Sequence, residues 1–114
     1  MRKLQISQLR EELETINAGE EILLSGVAYT ARDAAHKRML EEGIPFPIKD
    51  SVIYYAGPTP TPPEKVCGSF GPTTSARMDK FTPDLYKKGL VATIGKGNRD
   101  EKVTEAIKEY GGLY

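Results

Sequence analysis

The chain has 114 residues, sixteen Lys plus Arg against sixteen Asp plus Glu, and a single cysteine. That length suits one domain whose core buries about 65% of its unfolded surface, and the balanced charge leaves no basic face of the kind a phosphate backbone needs, so no nucleic-acid partner is expected. One thiol excludes an internal disulfide and any iron–sulfur or Cys-rich zinc site held by this chain alone, since such sites take three or four converging ligands.

The N-terminus meets charge at Arg2 and Lys3 and then an amphipathic segment, so neither a signal peptide nor a membrane span is expected, and a cytoplasmic location is the default. Ser7 can cap a short helix carrying Leu9, Leu13 and Ile16 at helical spacing, with Gly19 as its stop. Glu20 to Tyr29 is an apolar run bounded by charge and reads as a buried strand. Arg32 to Glu42 reads as a helix, with Ala31, Ala35 and Met39 facing a core and Gly43 ending it. The prolines of Ile44-Pro45-Phe46-Pro47 forbid a helix. A second strand, Ser51 to Ala56, runs into a stiff loop from Gly57 to Pro63 in which proline recurs. Lys65 to Phe70 is expected as a third strand, with Cys67 a small core residue on it. A helix from about Thr74 to Lys80 follows, and Phe81 to Gly89 leads to a fourth strand, Leu90 to Ile94. The last helix, Arg99 to Tyr110, carries Val103, Ala106, Ile107 and Tyr110 on one stripe and ends at Gly111-Gly112. Strands alternating with helices predict an α/β fold with a largely parallel sheet.

Three of the strand-to-helix junctions combine a capping residue with a cation. Thr30-Ala31-Arg32-Asp33 fits a capping box, Thr30 accepting from the first helical amides and Asp33 reaching back. Arg32 then sits in the first turn, where the helix dipole disfavours a cation unless an anion joins it. Gly71-Pro72-Thr73-Thr74-Ser75-Ala76-Arg77 sets three hydroxyls and free amides at a helix start, one turn before Arg77, like a carboxylate cradle. Gly95-Lys96-Gly97-Asn98-Arg99-Asp100-Glu101 offers a capping pair, Asn98 with Glu101, and a lysine between glycines that let a ligand approach the backbone. Parallel sheets bind ligands at the carboxyl ends of their strands, so two arginines and a lysine converging there suit a small, doubly anionic substrate.

Any one of these cations taken alone reads as a solvated surface residue, and the weight lies on their recurrence at three junctions. His36, one turn after Arg32, reads as a packed or exposed helix residue before a catalyst. Gly-Lys-Gly is not a P-loop, because Gly97 stands where Ser or Thr is needed and Gly89 is one residue too far from Gly95.

YTARDAAHKRM (Tyr29 to Met39), YYAGPTP (Tyr54 to Pro60), GSFGPTTSARMD (Gly68 to Asp79) and IGKG (Ile94 to Gly97) occur in this order in the β part of class I fumarases and tartrate dehydratases. From about Glu20 to its C-terminus the chain resembles that family. The resemblance implies a single domain, residues 1–114, of the swivelling β/β/α type. It also implies a hetero-oligomer with an α subunit, whose three cysteines hold a 4Fe-4S cluster, and an active site between the two parts. Carried over, Arg32 and Arg77 bind substrate carboxylates, Lys96 is a further carboxylate or charge partner, Thr73 transfers the proton, and Asp33 and Thr74 belong to the substrate-binding set. The implied reaction is reversible addition of water across a double bond flanked by carboxylates, with fumarate and malate the first expectation. Alternatives are a tartrate dehydratase β subunit and a non-catalytic dicarboxylate-binding or assembly module. Family β parts continue past the equivalent of Gly111 to Tyr114 into a Gly- and Ala-rich strand, so a shortened form, or a domain completed by a partner, is expected.

Overall fold

The structure, a computed structural model, describes all 114 residues. Its central layer is a sheet of β3 (Tyr29–Thr30), β4 (Val52–Tyr54) and β5 (Ala92–Ile94) in that spatial order, every neighbour parallel. Thr30 is in register with Tyr54, and Tyr54 with Ile94, so the three strands end level at their carboxyl ends. Leu113 adds a parallel bridge to Ala92 on the far edge. Parallel neighbours need crossovers, supplied by α2 (Asp33–Glu42) between β3 and β4 and by α3 (Thr82–Lys87) between β4 and β5. The last helix, α4 (Glu101–Tyr110), packs on α3.

The strand sequences explain the layering. Val52 and Ile53 are both fully buried but belong to different hydrophobic clusters, because successive side chains of a strand point to opposite faces. Ile53 joins Met39, Met78, Leu85, Tyr86, Val103 and Ala106 beneath the helices. Val52 joins Val91, Leu4 and Leu9 against a second layer, the two-stranded parallel sheet of β1 (Arg2–Gln5) and β2 (Ile22–Ser25) with α1 (Leu9–Glu12). Each such side chain taken out of water contributes about 1.5–3 kcal/mol before entropy is charged against it. The result is sheet on sheet on helices, α/β and parallel throughout as the alternation of elements predicts.

Several expectations are corrected. The run Glu20 to Tyr29 is two strands in two sheets, β2 and β3, with Gly26 (φ 131°) at the break. β1 was not expected, since RKLQ holds one apolar residue and its pairing is entirely long-range. Ser7 lies inside a 3-10 turn, Ile6–Gln8, preceded by Gln5, and α1 spans only four residues. Lys65 to Phe70 forms no strand: it belongs to a loop closed by the Thr59 N–H donating to the Ser69 carbonyl, with Val66 and Cys67 exposed. Cys67 is therefore not a core residue. The helix expected over Thr74 to Lys80 is a 3-10 turn, Ser75–Met78, and α3 lies in the stretch read only as a lead-in to β5. No helix is long and apolar enough to cross a membrane.

Candidate active site

Past the end of β5 the sheet opens. The Tyr55 N–H still donates to the Ile94 carbonyl (2.8 Å), but beyond that point Thr73 to Ser75 insert between the two strand ends. The Thr73 N–H donates to the Tyr55 carbonyl (2.8 Å), the Lys96 N–H to the Thr73 carbonyl (3.1 Å) and the Ser75 N–H to the Lys96 carbonyl (2.9 Å). Thr74 and Lys96 thus form an isolated parallel bridge. This wedge needs Gly95, where a Cβ would stand 2.1 Å from Ser75 Oγ and 2.6 Å from Tyr55 Cδ2. Thr73, Thr74 and Lys96 are consequently fixed to one another by backbone bonds. The same bonds consume the Thr73 and Ser75 amides, which leaves only part of the expected set of free N–H groups, and Thr74 precedes the 3-10 turn without a side-chain cap.

Arg77, on the turn Ser75–Met78, faces α2. Its Nε donates to both Asp33 oxygens (3.1 and 3.2 Å), and its Nη2 to Thr73 Oγ1 (3.2 Å). The Arg77 hydrogen bond holds the Asp33 carboxyl below the usual carboxylate range. That partner explains a correction at the first junction: Asp33 opens α2 but turns to Arg77, Thr30 ends β3, and the N-cap residue, Arg32, receives no side-chain cap, so there is no capping box. Arg32 sits at the helix N-terminus and has no carboxylate within ion-pair distance; its guanidinium lies on the backbone of Gly57, where a Cβ would stand 2.5 Å from Cζ. Lys96, exposed between Gly95 and Gly97, is also without an acidic partner. At the third junction Asp100 caps α4, accepting from the Val103 N–H (2.9 Å), so Asn98 and Glu101 are not the capping pair.

The structure therefore brings all the expected residues to the carboxyl ends of β3, β4 and β5. Three cations meet one carboxylate, Asp33, and two positive charges stay uncompensated on an exposed surface. The apolar cleft between α2 and α3, a cavity of 390 Å³ floored by His36 and Phe81, contains none of Arg32, Thr73, Arg77 and Lys96. His36 is buried there, its Nδ1 2.9 Å from the Arg32 carbonyl; that oxygen can only accept, so Nδ1 carries the proton. Burial pushes its pKa below the ordinary histidine value.

A metal centre does not fit these residues. No three His, Cys, Asp or Glu side chains gather to hold an ion, and one exposed thiol cannot supply the ligands of a cluster.

Compared with known proteins, residues 1–114 match the family model described as "Fumarase C-terminus". The chain belongs to the fumarase C-terminus family. It is 44% identical to a protein named fumarate hydratase 2 from Leishmania major, over 98% of this chain and 21% of that one. It is 39% identical to the aerobic class I fumarate hydratase of Salmonella typhimurium, over 96% of this chain and 20% of the relative. A putative L(+)-tartrate dehydratase subunit beta from Methanocaldococcus jannaschii is 34% identical, over 92% of this chain and 58% of that protein. This fumarase C-terminus chain thus spans about a fifth of the length of the fumarate hydratases it matches.

Sequence reasoning missed the groups that support the site. Gly57 had a signal, a Gly-Pro turn directly after a strand. Ser75 and Arg99 stand out at their junctions, but as a ligand hydroxyl and a helix start rather than as supports, and Tyr55 and Tyr114 had no signal, because only the fold brings the four together.

Proposed function

We propose that residues 1–114 form one domain acting as the β component of an iron–sulfur hydro-lyase. It adds water reversibly across a carbon–carbon double bond flanked by carboxylates, with fumarate and malate as the substrate pair. The observation that carries the reading is the pair of uncompensated cations, Arg32 and Lys96, beside Arg77 at the ends of a parallel sheet. A dianion neutralises them, and the family membership narrows the dianion to a small dicarboxylate.

In this reading Arg32 and Arg77 each grip one carboxylate through planar, charge-assisted hydrogen bonds, and Lys96 adds a point charge. Asp33 orients the Arg77 fork instead of touching substrate. Thr73 is the proton-transferring group: its hydroxyl is a weak base by itself, and the Arg77 Nη2 donor 3.2 Å away is placed to stabilise the oxygen as it loses its proton. Thr74, bridged to Lys96, lines the same mouth. The 4Fe-4S group that the family resemblance implies is assigned in this reading to a cysteine-bearing α subunit, and no step here is routed through it. The exposed, half-open character of the site agrees with closure by such a partner.

The test is to reconstitute the chain with its α partner and assay fumarate, malate and both tartrate enantiomers. Turnover of fumarate, lost on Arg77→Lys despite the retained charge, is the expected result. Turnover of tartrate alone would move the assignment to a tartrate dehydratase, the reading that the M. jannaschii relative favours. Failure to co-purify with any cysteine-bearing partner would favour a non-catalytic dicarboxylate-binding module.

A further inference from the structure

Directly behind the strand ends lies a buried cation that the proposed chemistry does not use. The Arg99 side chain is 3% exposed. Its guanidinium is stacked between two tyrosine rings, 5.1 Å from the Tyr55 centroid and 5.0 Å from that of Tyr114. Nη2 donates to Thr82 Oγ1 (2.8 Å), which gives its own proton to the Met78 carbonyl and therefore also accepts from the Tyr55 hydroxyl. Nε lies 2.8 Å from Asp79 Oδ1, close enough for an ion pair but off line for a hydrogen bond, and Nη1 is buried without an acceptor.

As a stabilising device this arrangement is poor. A buried ion pair repays its desolvation only when the geometry is good and the remaining protons are satisfied, and here two of the three guanidinium nitrogens, Nε and Nη1, make no hydrogen bond. Its topology is more telling. Arg99 follows the Lys96 loop by three residues, Asp79 follows Arg77 by two, and Tyr55 ends the backbone run to which Thr73 is bonded. Tyr114 closes the ring from the other side, its hydroxyl donating to the Gly97 carbonyl and lying 2.8 Å from Ser75 Oγ. The Asp100 N–H adds a bond to Asp79 Oδ2 (3.1 Å).

We infer that Arg99 is a positioning residue: stacked between Tyr55 and Tyr114 and paired with Asp79, it locks the Lys96 loop to the Arg77 turn and sets the spacing of the dicarboxylate grip. The consequence for binding rests on the function proposed above, whereas the lock itself does not. Arg99 touches no substrate; it acts through Lys96 and Arg77.

The double variant Asp79→Asn/Arg99→Gln removes both charges together, so neither is left buried alone. Amide hydrogen exchange of the full chain is measured with and without it, and succinate is titrated as an unreactive diacid. The expected result is that the Lys96 and Ser75 amides exchange at least tenfold faster, that Val91, bonded to the Ser51 carbonyl in the core, keeps its rate, and that succinate binds about tenfold more weakly. Tyr114→Phe, which keeps the ion pair and removes two hydroxyl contacts, should show the same selectivity more mildly if the double variant does not fold. The inference is overturned if Lys96 and Ser75 exchange as in the unsubstituted chain, if all amides including Val91 accelerate together, or if local acceleration leaves succinate affinity unchanged. An unsubstituted chain with no affinity for succinate would instead count against the dicarboxylate reading, and the exchange rates would still decide the lock.

Discussion

Replacing Gly57 by alanine separates substrate grip from stability. The glycine has no left-handed φ, so its backbone suits alanine, and the atoms nearest the added Cβ belong to the far end of a flexible side chain: Arg32 Cζ and Nε at 2.5 Å and Nη2 at 2.6 Å. Ordinary carbon contacts lie near 3.5–4.0 Å, so the guanidinium must withdraw by about 1 Å. Being exposed and unpaired, it can do so without disturbing the core, and the unfolded chain loses some freedom, so the melting temperature should hold or rise slightly. A hydrogen bond to a charged group is worth about 1.5–3 kcal/mol, and misplacing one through a shift of about 1 Å should raise KM for fumarate about 10- to 100-fold in the reconstituted enzyme. A double-mutant cycle completes the assay: with Arg32→Met already present, Gly57→Ala should cost nothing more. An unchanged KM in Gly57→Ala, or full additivity with Arg32→Met, would refute the reasoning that Arg32 grips substrate from its seat on Gly57.

Gly95→Ala should behave oppositely, since its Cβ would meet the buried Ser75 and Tyr55 side chains; a loss of about 2 kcal/mol, or roughly 10 °C in melting temperature, is expected by calorimetry. Thr73→Val keeps the shape and the backbone bonds of the wedge, so kcat should fall at least about 100-fold with KM within about threefold of its original value, measured in steady-state assays. His36 binds its proton less readily when folded, so the unfolded state holds more protons just below the ordinary histidine pKa. The stability it contributes is present above about pH 6.5 and is lost as pH falls below it. Melting temperature should drop between about pH 7 and pH 5.5, and His36→Phe should flatten that slope, whereas the Asp33 contribution is lost only at pH values below the ordinary carboxylate pKa.

Elements with a strong local signal were legible in the sequence. α4 carries its apolar stripe and a stop at Gly111, and β4 and β5 are apolar runs buried on both faces, which periodicity can recognise. What failed was decided at long range. β1 exists because Leu4 and β2 cover Val52 and Val91, a partnership RKLQ does not announce. Val66, Cys67 and Phe70 look like a strand but find no partner strand and stay exposed in a proline-rich loop. The candidate site shows the same division: Arg32, Thr73, Arg77 and Lys96 stand out by their junctions, yet the capping box at Thr30 and Asp33 yields to an ion pair with Arg77, 44 residues away. A local cap is worth about 1 kcal/mol and a half-exposed ion pair about 0–1 kcal/mol, so the two compete on nearly equal terms and the fold, which brings Arg77 to Asp33, decides between them. Two of the amides expected to be free, those of Thr73 and Ser75, are spent on holding the wedge between β4 and β5.

The most direct check is a succinate titration of the isotopically labelled chain, following the side-chain resonances of Arg32, Arg77 and Lys96 by nuclear magnetic resonance. If the three cations hold one diacid, their shifts saturate together on a single isotherm of one-to-one stoichiometry. Shifts confined to one of them, or three that saturate at different concentrations, would contradict a shared site.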